Sequence, residues 1–207
     1  MWSRQVAVGV PSTCDMVSVQ RLLPNLLSAL RIGFALSLLP AAAVQQPRAF
    51  WALLVACLLS DALDGLLARR WGTTSDLGRR LDSAGDYVLV LALLPSLFWL
   101  WPELIWREIP WFGVAVLAYF APTVWSVLRW RTIPGLHTLA SKASAVGMAF
   151  ALPLLLLGGP PLPFRGLAIL QVLVAAEEFA IIHFLPGWSG VMPSYWHARR
   201  HVREAAT

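Results

Sequence analysis

"SDALDGLLARRWGTTSDLGRRLDSAGD", Ser60 to Asp86, holds five of the eleven acidic residues in the chain. The flanking residues read very differently. "FWALLVACLL" (Phe50 to Leu59) precedes it and "YVLVLALLPSLFWL" (Tyr87 to Leu100) follows it, both runs of apolar side chains. Aspartates crowded between two such runs call for a reason, because ionisable groups in or beside lipid are costly and are usually kept for function.

Composition supplies the setting. Of 207 residues 58% are hydrophobic and 13% charged, against about 25% charged in a soluble domain. Eleven tryptophans suit a chain that meets membrane interfaces. The reading is an all-α integral membrane protein. A helix needs about 20 apolar residues to cross the hydrocarbon core, and six stretches qualify: 26–44, 49–68, 87–104, 111–130, 140–158 and 166–186. Polar and Pro/Gly-rich breaks separate them at Gln45–Pro47, 69–81, Arg107–Pro110, Arg131–Gly135 and Gly158–Pro161. Backbone groups in lipid need internal partners, so a six-helix bundle follows. No β-barrel alternation is present.

Residues 1–20 read as an N-terminal extension without a continuous apolar leader, Met16 offering an alternative start. Residues 21–190 form the membrane domain and 191–207 a basic tail. The net charge of +5 suits anionic headgroups rather than nucleic acid, for which no soluble basic domain exists. Cys14 and Cys57 have no metal or disulfide spacing, and Cys57 reads as a small packing residue.

Helical geometry gathers the aspartates. Asp61, Asp64, Gly65 and Ala68 stand at i, i+3, i+4 and i+7, on one face of the second span's end. Gly78, Asp82 and Asp86 share a stripe on the next helix. The short segment 70–77 makes the two helices antiparallel neighbours, so two carboxylates from each converge. Four close carboxylates cannot all stay ionised without positive charge between them. Hard oxygen donors suit Mg²⁺ or Mn²⁺, and four can hold a metal pair of the kind that clamps a displacement at phosphorus. Gly65 and Ala68 leave room for an extended ligand, and Arg69 adds a fork for phosphate oxygens. The residues therefore describe a metal-dependent diphosphate site at the membrane edge. Asp76 reads as a solvated loop residue.

The pattern Asp61-x2-Asp64-Gly65-x2-Ala68-Arg69-x8-Gly78-x3-Asp82-x3-Asp86 resembles the CDP-alcohol phosphatidyltransferase signature at all eight fixed positions. The six-span plan and "LPNLLSALRI" (Leu23 to Ile32) are also similar to that family. The resemblance implies an enzyme of phospholipid biosynthesis that moves a phosphatidyl group from CDP-diacylglycerol to a small polar alcohol and releases CMP. It further implies two divalent metal ions, Mg²⁺ or Mn²⁺, and a homodimer in the inner membrane. Carried over by position, Asp61, Asp64 and Asp82 are metal ligands, and Asp86 is both ligand and catalytic base. Gly65, Ala68, Arg69 and Gly78 line the CDP moiety.

Two other readings compete. An intramembrane prenyltransferase also holds Mg²⁺-diphosphate on aspartates, but does not require Gly65, Ala68, Arg69 and Gly78. A cation transporter wants carboxylates deep in the membrane, not at one edge. The acceptor is less legible. Relatives that use glycerol phosphate often carry an Arg-Glu pair near the fourth span, and "YFAPTVWSVLRWRT" (Tyr119 to Thr132) lacks it. Arg129, Arg131 and Lys142 nevertheless supply positive charge beyond what the donor needs, which points to a phosphorylated acceptor such as glycerol 3-phosphate or an inositol phosphate. Arg31, three residues beyond Ser28, either reaches the interface or lines the pocket. Glu177 and Glu178 lie mid-span and point about 100° apart, so they cannot face one partner. His183 is off their faces.

Lysines and arginines give the orientation. Twelve fall in the N-terminal segment, the 69–80 segment, the 129–142 region and the tail, whereas the opposite loops hold Arg48, Arg107 and Arg165. By the positive-inside rule both termini and the aspartate segment are cytoplasmic. Single cysteines at Ser75 and Pro160 should therefore differ in intact cells, Pro160→Cys reacting with an impermeant maleimide and Ser75→Cys staying protected. The reverse pattern overturns the orientation.

Overall fold

The computed structural model describes residues 13–71, 76–131 and 138–184. Within its helices, the side chains of residues 13–25, 67–69, 71, 76–77, 79–80 and 184 lie outside the description. The tail 191–207 and residues 72–75 of the 70–77 segment lie outside it as well. Among the described residues the fold is entirely helical: α1 (Thr13–Ala43), α2 (Pro47–Trp71), α3 (Asp76–Leu100), α4 (Pro102–Trp130), α5 (Leu139–Leu156) and α6 (Leu162–Phe184). All six are long and apolar enough to cross a membrane. Helix α1 begins inside the stretch read as an extension.

Local chemistry sets several of the ends. At the end of α1, Gln45 takes the left-handed conformation (φ 55°). Its N–H donates to Ala42 O at 2.9 Å, and Gln46 N–H to Ala41 O at 3.0 Å, a Schellman closure. Pro47 then opens α2 in the position where a missing N–H costs nothing. The end of α5 repeats the motif with Gly158 at φ 84°, Gly158 N–H donating to Leu155 O and Gly159 N–H to Leu154 O. A Cβ on Gly159 would stand 2.7 Å from Leu154 O, so the chain needs glycine there. Thr138 caps α5 by accepting from Ser141 N–H at 3.1 Å.

One expected break is corrected. The sequence suggests a gap at Arg107–Pro110, with spans at 87–104 and 111–130. The structure instead ends α3 at Leu100 and starts α4 at Pro102. Trp101 leaves the helical region (φ −134°, ψ 57°) and Pro102 occupies the first turn, where proline is tolerated best. The polar residues stay inside α4 because Glu108 has partners. It is fully buried and accepts from Arg165 Nε at 2.8 Å and Arg165 Nη2 at 2.9 Å. Arg107 Nε adds a contact at 3.3 Å.

The chain divides into two compact units, residues 1–96 and 97–207. In the first, α1 and α2 pack along matched seams. Ala35, Leu38 and Ala42 of α1 meet the level of Phe50, Leu54 and Cys57 of α2, all buried. Small alanines let the backbones approach, which is how helices associate in lipid. In the second unit α6 packs against α4 and α5. The rings of Phe112 and Phe164 lie 4.6 Å apart, and Ser144 Oγ donates to Gln171 at 2.7 Å. A Cβ on Gly147 would come within 2.8 Å of the Leu167 side chain, so the glycine lets α5 and α6 pack closely at that level. Leu117, Leu128, Phe150 and Leu173 are exposed, as suits lipid-facing positions.

Breaking a buried ion pair strands a charge, at a cost of about 3–5 kcal/mol. Arg165→Ala should therefore lower the melting temperature in detergent clearly, and Glu108→Gln combined with Arg165→Ala should recover part of the loss. An unchanged melting temperature in Arg165→Ala would refute the structural role of the pair.

Candidate active site

The seams that join α1 to α2 do not stop at the last apolar residue. One turn before Ala35 on α1 comes Arg31, and three residues earlier Ser28; both are buried. One turn beyond Cys57 on α2 comes Asp61, then Asp64. The polar site is thus the continuation of the apolar packing stripe, and the same helical period that closes the core delivers its side chains.

Arg31 is the centre. Its Nη2 lies 3.1 Å from Asp61 Oδ1 and in direct contact with Asp64 Oδ2. Its Nη1 donates to Asp82 Oδ1 at 2.8 Å and to Asp86 Oδ1 at 3.4 Å. One nitrogen therefore serves the α2 pair and the other the α3 pair. Ser28 Oγ donates to Asp64 Oδ2 at 2.9 Å. Gly85, buried between Asp82 and Asp86, leaves the passage for the arginine stem: a Cβ there would lie 3.4 Å from Arg31 Cδ. The carboxylates differ in access. Asp64 is 6% exposed, Asp82 33%, Asp86 40% and Asp61 54%.

Oxygens of Asp61, Asp64 and Asp82 lie within 4.8 Å of one another. Three hard donors at that separation fit Mg²⁺ or Mn²⁺. Asp86 is outside this group and makes the longest contact with Arg31, so it is the least committed of the four. All four fall at the ends of spans, Asp61 and Asp64 within Pro47–Leu66 and Asp82 and Asp86 within Leu81–Leu100.

A family model for CDP-alcohol phosphatidyltransferase matches residues 21–182. The chain belongs to the CDP-alcohol phosphatidyltransferase family. Among its relatives is a cardiolipin synthase (CMP-forming) of Streptomyces coelicolor, 40% identical over 52% of this chain and 50% of that protein. Another is a CDP-diacylglycerol–serine O-phosphatidyltransferase of Mycobacterium tuberculosis, 27% identical over 91% of this chain and 60% of that protein. The chain spans about half the length of the curated relatives it matches. No solved structure matches it.

The remaining family positions fall as follows. Gly65 adjoins Asp64 on α2, and Gly78 stands one turn before Asp82 on α3. Ala68 and Arg69 are on the α2 backbone, and their side chains lie outside the described residues. Asp76 opens α3. Arg129, Arg131 and Lys142 belong to the second unit and are exposed. Arg131 closes α4 in the left-handed conformation, its N–H bonding Val127 O at 2.9 Å. Glu177 and Glu178 are half-buried and His183 exposed.

Three site residues were not assigned from sequence. The sequence leaves Arg31 between two roles, and its burial against the carboxylates places it in the pocket. Ser28 and Gly85 were not singled out as site residues. The signal for Ser28 was its place in the register 28, 31, 35, 38 and 42, a single helical face that turns from apolar to polar.

Proposed function

We propose that the protein transfers a phosphatidyl group from CDP-diacylglycerol to an alcohol and releases CMP. The observation that carries this reading is the convergence of all four motif carboxylates on one guanidinium at the ends of two spans, with Asp86 the least constrained. Asp61, Asp64 and Asp82 hold the divalent ions, with Asp86 as a further ligand. Bound there, the ions neutralise the donor's diphosphate and the phosphate that leaves with CMP. Gly65, Ala68, Arg69 and Gly78 line the nucleotide by family position.

Asp86 takes the proton from the acceptor hydroxyl. The freed oxygen attacks the phosphorus that bears the diacylglycerol, the bond from that phosphorus to the bridging oxygen breaks, and CMP departs with both electrons of that bond. Ser28 orients Asp64 and keeps it from turning away. The family resemblance supports a homodimer in the inner membrane, and the arginine distribution supports a cytoplasmic active site.

The acceptor is proposed to carry its own phosphate, glycerol 3-phosphate or an inositol phosphate, drawn by the exposed cations Arg129, Arg131 and Lys142. Serine is the second reading, favoured by the relative that covers nine-tenths of the chain. Purified protein offered CDP-diacylglycerol with a panel of alcohols, phosphorylated and not, decides between them by CMP release. Absence of CMP with every acceptor sinks the transferase reading.

Asp86→Asn removes a base and keeps an oxygen. It should lower kcat by about 10²–10⁴-fold while CDP-lipid binding persists; wild-type turnover would remove Asp86 from the base role. Arg131→Ala and Lys142→Ala should each raise the acceptor KM about tenfold, the scale of one charge-assisted hydrogen bond, with the CDP-diacylglycerol KM unchanged. A normal acceptor KM in both variants leaves those charges as orientation signals.

A further inference from the structure

Arg31 stands where positive charge is most needed, and its position has a consequence for how the site loads. The guanidinium is fully buried and touches all four aspartates. We propose that Arg31 is a tethered counter-ion that holds the carboxylates together before metal arrives and that the divalent ions must displace. This rests on the reading that the four aspartates bind metal.

Mg²⁺ sits about 2.1 Å from its oxygens. Nη1 lies 2.8 Å from Asp82 Oδ1, so an ion on that oxygen is no more than about 5 Å from the guanidinium. The same holds at Asp61, whose Oδ1 is 3.1 Å from Nη2. A dication and a buried guanidinium that close repel each other. The carboxylates therefore serve one cation or the other at their shared oxygens. Four formal negative charges face one positive charge, so the arginine holds the box without neutralising it, and a pair of dications has more to gain there than Arg31 does.

The fork is not fully committed where it lies. Gly85 presents no side chain to its stem, and Nε is buried without a hydrogen-bond partner. Once displaced, the fork has free donors beside the ions, where the oxygens of a diphosphate would take them. Metal binding thus becomes an exchange, and the metal-free protein is not left with four repelling carboxylates inside the membrane.

The test uses the full chain in detergent without substrate. Mn²⁺ binding is measured by electron paramagnetic resonance of the free ion, and thermal unfolding is followed with and without EDTA, for wild type, Arg31→Gln and Arg31→Lys. Arg31→Gln should bind Mn²⁺ about tenfold tighter or more, because no internal cation competes, while its metal-free form melts lower than wild type. Arg31→Lys, a point charge that cannot bridge both pairs, should fall between. Structural damage alone would weaken Mn²⁺ binding, so tightening separates exchange from mere support. Equal or weaker binding by Arg31→Gln, with normal binding by wild type, overturns the exchange and leaves the transferase reading intact. Absence of Mn²⁺ binding by wild type overturns both. Should Arg31→Gln fail to fold, Arg31→Lys decides alone: tighter than wild type supports the exchange, equal or weaker overturns it.

Discussion

The contact between the Arg31 guanidinium and four aspartates constrains much of the first unit. A planar fork with two outward nitrogens can serve two carboxylate pairs only if they approach from two sides. That requirement fixes the rotation of α2 and α3 about their own axes relative to α1. Gly85 lies against the arginine stem, where a Cβ would make ordinary van der Waals contact with Arg31 Cδ at 3.4 Å. The apolar seam of alanines, Leu38, Phe50 and Leu54 then sets how deep the fork lies. Packing and chemistry are two stretches of one pair of helical stripes.

Much of the architecture was legible because lipid simplifies the code. A run of about 20 apolar residues has few alternatives to a spanning helix, and proline or glycine marks the breaks. The miss at Arg107–Pro110 shows where that code fails. Polar residues read as a loop when their partners are distant in sequence, and Glu108 finds its partner 57 positions away in Arg165. Composition around Glu108 holds no trace of that pairing. The true break, Trp101–Pro102, sits in an apolar context and is marked by a single proline.

The aspartates were legible for a different reason. Their spacing, three and four residues, is the spacing that helical geometry converts directly into a shared face. Arg31 was harder, because a lone arginine near a span end has a common bland role at the interface. What distinguishes it is the register it keeps with Ala35, Leu38 and Ala42, a pattern whose meaning depends on knowing which face of α1 is buried. The roles of Arg129, Arg131 and Lys142 are not legible in the same way: each is exposed, and exposure does not separate a binding charge from an orientation signal.

The two buried ionic clusters show how charge balance distinguishes function from support. Glu108 is one carboxylate met by two arginines, Arg165 closely and Arg107 at 3.3 Å. Its oxygens have their donors, and nothing further is required of the surroundings. At Arg31 the ratio is inverted, four carboxylates to one guanidinium. A closed pair is what a fold needs to hide a charge in lipid. An excess of negative charge is what a fold retains when a further cation belongs to its working state. Both clusters are arginine–carboxylate contacts at hydrogen-bond distance with one partner fully buried, so distance alone does not tell them apart. The sign of the residual charge does: the second unit's carboxylate has its arginine donors, whereas the first unit's cluster keeps negative charge that further cations can balance.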